Sequence, residues 1–193
     1  MKTNGRSVIG REMHRIVKQF KTMINYIKGD LFDYVTSNDC IIHVVNNAIR
    51  IGGGFTAPLI KRFPYIETAY YFWFNHAVPV DTYRISGSPV LGEIQIVWFR
   101  PTDNVYRNFE RTDGIYIVNM MAQESTISAT NPHPLKYDAL EHCLRKVADD
   151  SELKNTRIIA PKFGAGLAGG DWNKIESLIN AVFHDREITI FEL

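Results

Sequence analysis

Residues 40–45, CIIHVV, leave a strand no face to show to water. By alternation Ile42 and Val44 fall on one side, with Asn46 beyond them, while His43 and Val45 fall on the other. A strand that is apolar on both sides belongs inside a sheet covered on both sides. This run continues as NNAIRIGGGF, so the covered strand delivers two asparagines and then three consecutive glycines at its C-terminal end.

The rest of the chain supplies the cover. MINYIK, EIQIVWF, GIYIVNMM, RIIAP and EITIFEL read as further strands, rich in β-branched and aromatic residues. Helical segments interrupted at Pro64 follow the glycines. KYDALEHCLRKVADD predicts a helix with Ala139, Leu140, Cys143, Leu144 and Val147 as its apolar stripe, and DWNKIESLINAVF predicts another. RPTDNVYRNFERTD has the polar composition of a long hairpin loop. Strands and helices alternating over short links imply an α/β domain.

Charge divides the 193 residues unevenly. Residues 1–22 hold six Lys or Arg against one acid, so they carry +5 of a net +1 and the remainder is acidic. Ile9, Met13, Ile16 and Phe20 share one helical face there, opposite Arg11, Arg15 and Lys18. The expectation is a basic amphipathic extension over 1–22, serving as a docking helix, a membrane-surface helix, a leader or a dispensable terminus. A domain follows over 23–193, and Met23 would serve as an alternative start. The acidic remainder lacks the basic signature of a nucleic-acid binder. Cys40 and Cys143 sit in apolar segments without CxxC or paired histidines, which speaks against a disulfide framework and a zinc site. No apolar run reaches the roughly 20 residues of a membrane helix. A cytoplasmic protein is expected, monomeric and without metal or cofactor.

GAGLAGG, residues 164–170, matches the dinucleotide-binding pattern G-x-G-x-x-G, but too little chain follows it to build a Rossmann half. No GxxxxGK[ST] is present. What remains is two glycine loops, GGGF at 52–55 and GAGLAGG, each leaving a strand and entering a helix. Glycines let an anion approach backbone N–H groups. Two such loops on one sheet edge would grip a diphosphate from both sides.

YIKGDLF at 26–32, HVVNNAIRIGGGF at 43–55, PKFGAGLAGGDW at 161–172 and the closing TIFEL resemble, in order and spacing, the characteristic segments of the macrodomain family. The branch they resemble contains ADP-ribose 1''-phosphate phosphatases and terminal ADP-ribose glycohydrolases. The resemblance spans residues 23–193 and implies a three-layer α/β/α sandwich with a central mixed sheet and an ADP-ribose cleft along the strand ends. It assigns Asp30 to the adenine amino group, with Leu31 offering backbone beside it and Phe191 lining the adenine end. Gly52, Gly53, Gly54 and Phe55 become the first diphosphate loop, and Gly164, Ala165, Gly166 and Leu167 the second. Asn46 and Asn47 face the distal ribose. The implied partners are ADP-ribose or its 1''-phosphate, and ADP-ribosylated protein or nucleic-acid ends.

The implied reaction is hydrolysis of ADP-ribose 1''-phosphate to ADP-ribose and phosphate, with His43 and Asn46 as catalytic residues. The alternatives are a non-catalytic ADP-ribose reader and a hydrolase that removes ADP-ribose from macromolecules. His43 suits proton transfer if its pKa lies near neutrality, and its competing role is that of a core histidine bonded to a backbone carbonyl. Asp30 and Asp171 also have the ordinary roles of turn and helix caps. Cys40, Phe163, Trp172 and Tyr137 are expected to pack, and Gln123 is a polar residue within reach of the cleft. The glycohydrolases of this branch use a lysine and an aspartate where this chain has Met120 or Met121 and Ala168, so a lysine-dependent covalent route is not expected.

Overall fold

The structure, a computed structural model, describes residues 23–75, 83–85, 88–99 and 114–193. The extension expected over 1–22 and the hairpin loop expected over 100–113 lie outside the described residues. Strands β1 (Ile24–Lys28), β2 (Asp39–Asn46), β3 (Tyr83–Ile85), β4 (Ile94–Phe99), β5 (Ile115–Gln123), β6 (Arg157–Pro161) and β7 (Ile188–Glu192) form one sheet in the order β1-β7-β6-β2-β5-β4-β3. The first five in that order run parallel, and β4 and β3 complete the sheet antiparallel. The mixed sheet expected for the domain is therefore present.

Its two faces carry different helices. Helices α1 (Thr56–Arg62) and α2 (Tyr65–Phe74) cover one face, where Leu59, Ile66, Ala69, Tyr70 and Trp73 meet Ile41, Val45, Ile117 and Met121. Helices α3 (Tyr137–Asp149) and α4 (Trp172–Val182) cover the other, where Leu140, Leu144, Ile175 and Ile179 meet Cys40, Ile42, Val118 and Met120. The apolar stripe expected on α3 is the buried one, residue for residue. Each large aliphatic side chain so buried contributes on the order of 1.5–3 kcal/mol. This is the three-layer α/β/α sandwich. Among the described residues no helix is long and apolar enough to cross a membrane.

Two features fix β2 against its neighbours. At the N-terminal ends of β2 and β6 Asp39, buried, receives Arg157 Nε at 2.9 Å and Nη2 at 2.7 Å, a forked pair between residues that are also register partners. At the other end, pairing between β2 and β5 slips past Ala122, so that Val45 faces Met121 and Asn46 faces Gln123. Such a bulge re-aims the side chains at a strand end. Because β1, β7, β6, β2 and β5 are parallel, their C-terminal ends share one edge of the sheet.

Candidate functional site

The loop after β2 leads to α1 on one face, and the loop after β6 leads to α4 on the other. Adjacent parallel strands whose connections part in opposite directions leave a crevice beyond their C-terminal ends. Three hollows occupy that edge. The first, of about 840 Å³, is walled by Lys28 to Phe32, Phe55, Pro58, Pro161, Lys162 and Phe191 to Leu193. The middle one, of about 230 Å³, lies between the two glycine loops, with His43, Gly53, Gly54, Gly164, Gly166 and Leu167 among its walls. The distal one, of about 170 Å³, takes in Asn46, Arg50, Gly53, Thr56, Gln123 and Leu167. Shared walls join them: Phe55, Pro161 and Lys162 between the first two, and Gly53, Thr56, Gln123 and Leu167 between the last two.

Asp30 lines the first hollow while its Oδ1 accepts the Phe32 N–H at 3.0 Å, capping the 3-10 turn Leu31–Asp33. The cap role and the wall role coincide. Phe32 stacks parallel on Phe55, with ring centroids 5.6 Å apart, so this end presents a broad apolar surface beside the Asp30 carboxylate. Phe191, buried against Tyr34, forms its floor with Leu31.

The first glycine loop is held from within by Thr56, whose hydroxyl accepts the Gly52 N–H at 2.9 Å and donates to Gly53 O at 2.7 Å. Gly52 therefore has no free N–H for a ligand. The N–H groups of Gly53, Gly54 and Phe55, by contrast, have no acceptor among the described residues, nor do those of Gly164, Ala165, Gly166, Leu167 and Ala168. The second loop is closed by Gly169 N–H to Gly166 O and Gly170 N–H to Gly164 O, both 2.9 Å. Its last two glycines are required by packing: a Cβ at Gly169 would lie 2.5 Å from Pro132 O, and one at Gly170 only 2.4 Å from Leu135 Cδ2. Leu167, half exposed, reaches across so that its Cδ1 lies 3.2 Å from where a Gly53 Cβ would be, which brings the loops face to face. Unpaired N–H groups converging from both sides make an anion site.

His43 lies under this groove. Its ring is 5.9 Å from that of Phe55 and is only 1% exposed, and neither nitrogen has a hydrogen-bond partner. Burial lowers its pKa to about 4, in place of the near-neutral value that proton transfer at neutral pH favours. Its register partner Asn119 approaches the ring and has an equally unpaired, buried Oδ1, while Asn119 Nδ2 donates to Gln95 Oε1 at 2.8 Å and Gln95 Nε2 to Ala69 O at 2.7 Å. A polar thread thus crosses the core to α2. Asn119 and the Val44 backbone act on the His43 ring in the opposite sense to burial, favouring its charged form, and burial outweighs them.

Asn46 engages its amide in its own loop. Its Oδ1 accepts from Ala48 N–H at 3.0 Å, its Nδ2 donates to Arg50 O at 2.5 Å, and buried Tyr70 donates its hydroxyl to Asn46 O at 2.7 Å. Asn47 is exposed and its Oδ1 accepts the Ser125 N–H at 2.7 Å, tying the ends of β2 and β5 together. Gln123 walls both the middle and distal hollows, as its position beyond β5 implied. Met120 and Met121 are fully buried on opposite faces, and Ala168 lines the middle hollow. Gly52, Ala165 and Asn47 lie beside the hollows, outside their walls.

Asp171 is the N-cap of α4, accepting from Asn173 N–H at 3.0 Å. Phe163 and Trp172 pack edge to face at 6.0 Å. Tyr137 does more than pack: its hydroxyl accepts the Asp171 N–H at 2.8 Å and anchors the end of the second loop. Sequence reasoning passed over Lys162, which walls the first two hollows, pairs with Glu192 at 2.5 Å and lies over the Tyr26 and Trp172 rings. A basic residue directly after the proline that ends β6 was the available signal. Thr56 was visible as well, at the first helical position behind the glycines.

The sandwich thus carries two facing rows of unpaired N–H groups at the C-terminal edge of its parallel strands. The fold is that of the macrodomains. A macrodomain protein from Streptomyces coelicolor superposes with a TM-score of 0.59 over 88% of this chain and 99% of its own, at 23% sequence identity. A human protein named ADP-ribose glycohydrolase OARD1 is 23% identical over 174 residues, covering 88% of this chain and 91% of itself. A Debaryomyces hansenii protein named ADP-ribose 1''-phosphate phosphatase is also 23% identical, over 187 residues, covering 88% and 98% respectively. No protein-family model matches the chain.

Proposed function

We propose that this chain binds ADP-ribose and hydrolyses ADP-ribose 1''-phosphate to ADP-ribose and phosphate. The carrying observation is the continuity of the three hollows, with unpaired N–H groups from both loops in the middle one. Adenine occupies the first hollow, near Asp30 and Phe191, the diphosphate lies between the loops, and the distal ribose enters the third. The names of the human and yeast relatives place their own chemistry on ADP-ribose and on its 1''-phosphate. Phosphate release is favoured over the lysine route because buried Met120 or Met121 stands where the glycohydrolases of the branch have their lysine. Water adds to phosphorus, the bond from phosphorus to the anomeric oxygen breaks, and that oxygen leaves with a proton. The oriented N–H groups of the two loops hold the diphosphate and so fix the terminal phosphate in place for attack.

His43, kept neutral by its burial, is assigned to take the proton of the attacking water from the middle hollow that it walls, next to the distal one. If it takes that role, release falls on an acid limb near pH 4, since the ring is lost as an acceptor only when it protonates. His43→Ala then lowers kcat at unchanged KM. Asp30→Ala is expected to weaken ADP-ribose binding about 10-fold, the worth of one charge-assisted hydrogen bond, as read by calorimetry. No detectable ADP-ribose binding by the native chain would sink the proposal at its root. A second reading, an ADP-ribose reader without turnover, is favoured by one observation, the enclosure of His43 beneath Phe55. Binding with no phosphate release would establish it.

A further inference from the structure

The middle hollow's one cation, Lys162, is paired with Glu192, whereas the distal hollow's one cation, Arg50, has no ion pair among the described residues. The walls of the distal hollow are apolar or neutral except at Arg50, and among the described residues no carboxylate lines it. A hollow that received only a ribose would need no cation, since sugar hydroxyls are met by amides, hydroxyls and backbone groups.

The chain around Arg50 is held at some cost. Ile49, the residue before it, has φ +57, a left-handed conformation that a β-branched side chain rarely adopts. Strain of this kind persists only where neighbours over-determine it, and it gathers at sites that bind or act. The neighbours are visible: the Asn46 amide bonds both the N–H and the carbonyl of Arg50, and Tyr70, buried beneath, holds Asn46 by both its oxygens. Asn46 and Tyr70 therefore act on the site through Arg50, as positioning residues. A guanidinium offers a planar fork of donors that matches two oxygens of a phosphate, a geometry an ammonium lacks.

We propose that Arg50 recognises the terminal phosphate of the substrate and so selects ADP-ribose 1''-phosphate over ADP-ribose. This rests on the reading of the three hollows as an ADP-ribose site. ADP-ribose, which lacks the terminal phosphate, is the internal control. Dissociation constants for both ligands are measured by calorimetry, with KM replacing Kd for the phosphoester where it turns over.

The native chain is expected to prefer the 1''-phosphate by about 10- to 100-fold, the range of a charge-assisted pair. Arg50→Gln brings that ratio close to one while ADP-ribose binding stays within about 2-fold, and Arg50→Lys falls between them. A merely structural role would weaken both ligands together and leave the ratio standing. An unchanged ratio in Arg50→Gln, or a native ratio of one, overturns the assignment with the ADP-ribose site intact. Failure of the native chain to bind ADP-ribose overturns both.

Discussion

Acidification from pH 6.5 to pH 4 is expected to remove about 3 kcal/mol of folding stability through His43 alone. The ring is buried, its folded-state pKa is lowered to about 4 by that burial, and in the unfolded chain it titrates near the ordinary histidine value of 6.5. Between those values the unfolded chain takes up a proton that the folded one refuses, so stability is intact above pH 6.5 and falls as pH drops through this window. Below pH 4 both states carry the proton and the loss levels off. His43→Leu keeps an apolar side chain of similar size against Phe55 and removes the titration, together with two unpaired nitrogens. Urea unfolding of both proteins at pH 7 and pH 4 isolates the contribution, because every other group is common to the two. The same pH dependence in both would show that the ring is solvated or paired, and with it the reader hypothesis would lose its supporting observation.

Legibility in the sequence followed the range of the interaction responsible. The apolar run at 40–45 declared a strand covered on both faces because that is a local property, and β2 is buried along most of its length. The stripe on α3 and the cap at Asp171 were legible for the same reason. The three-residue strand Tyr83–Ile85 was not, since its pairing with β4 owes more to the waiting sheet edge than to its own residues. At the site the two loops could be found from their glycines. What each amide was engaged in could not, because the answer lies in how the chain turns back: Thr56, one helical turn on, takes the Gly52 N–H, the loop through Ile49 takes up the Asn46 amide, and Tyr70 of α2 takes the Asn46 carbonyl. His43 was conspicuous as the one ionisable group in an apolar strand, and its depth beneath Phe55 depends on where α1 docks.

Gly166→Glu is expected to weaken ADP-ribose binding by roughly 100-fold or more without harming the fold, and it tests the groove itself. A Cβ at Gly166 meets nothing within 4 Å, and its φ lies outside the left-handed region, so a side chain there is tolerated by the protein. The space it would enter belongs to the middle hollow, between the unpaired N–H groups of the two loops. A carboxylate about 5 Å from a bound diphosphate costs about 3 kcal/mol at an effective dielectric near 20, which is the expected factor in Kd. Gly166→Ala, adding bulk without charge, separates steric from electrostatic loss and should fall well short of it. Gly169→Ala supplies the opposite signature: its Cβ would strike Pro132 O and its φ of +65 is costly for any L side chain, so that variant loses thermal stability first. If Gly166→Glu binds ADP-ribose as the native chain does, no phosphate passes between the loops, and their free N–H groups serve some other anion or none.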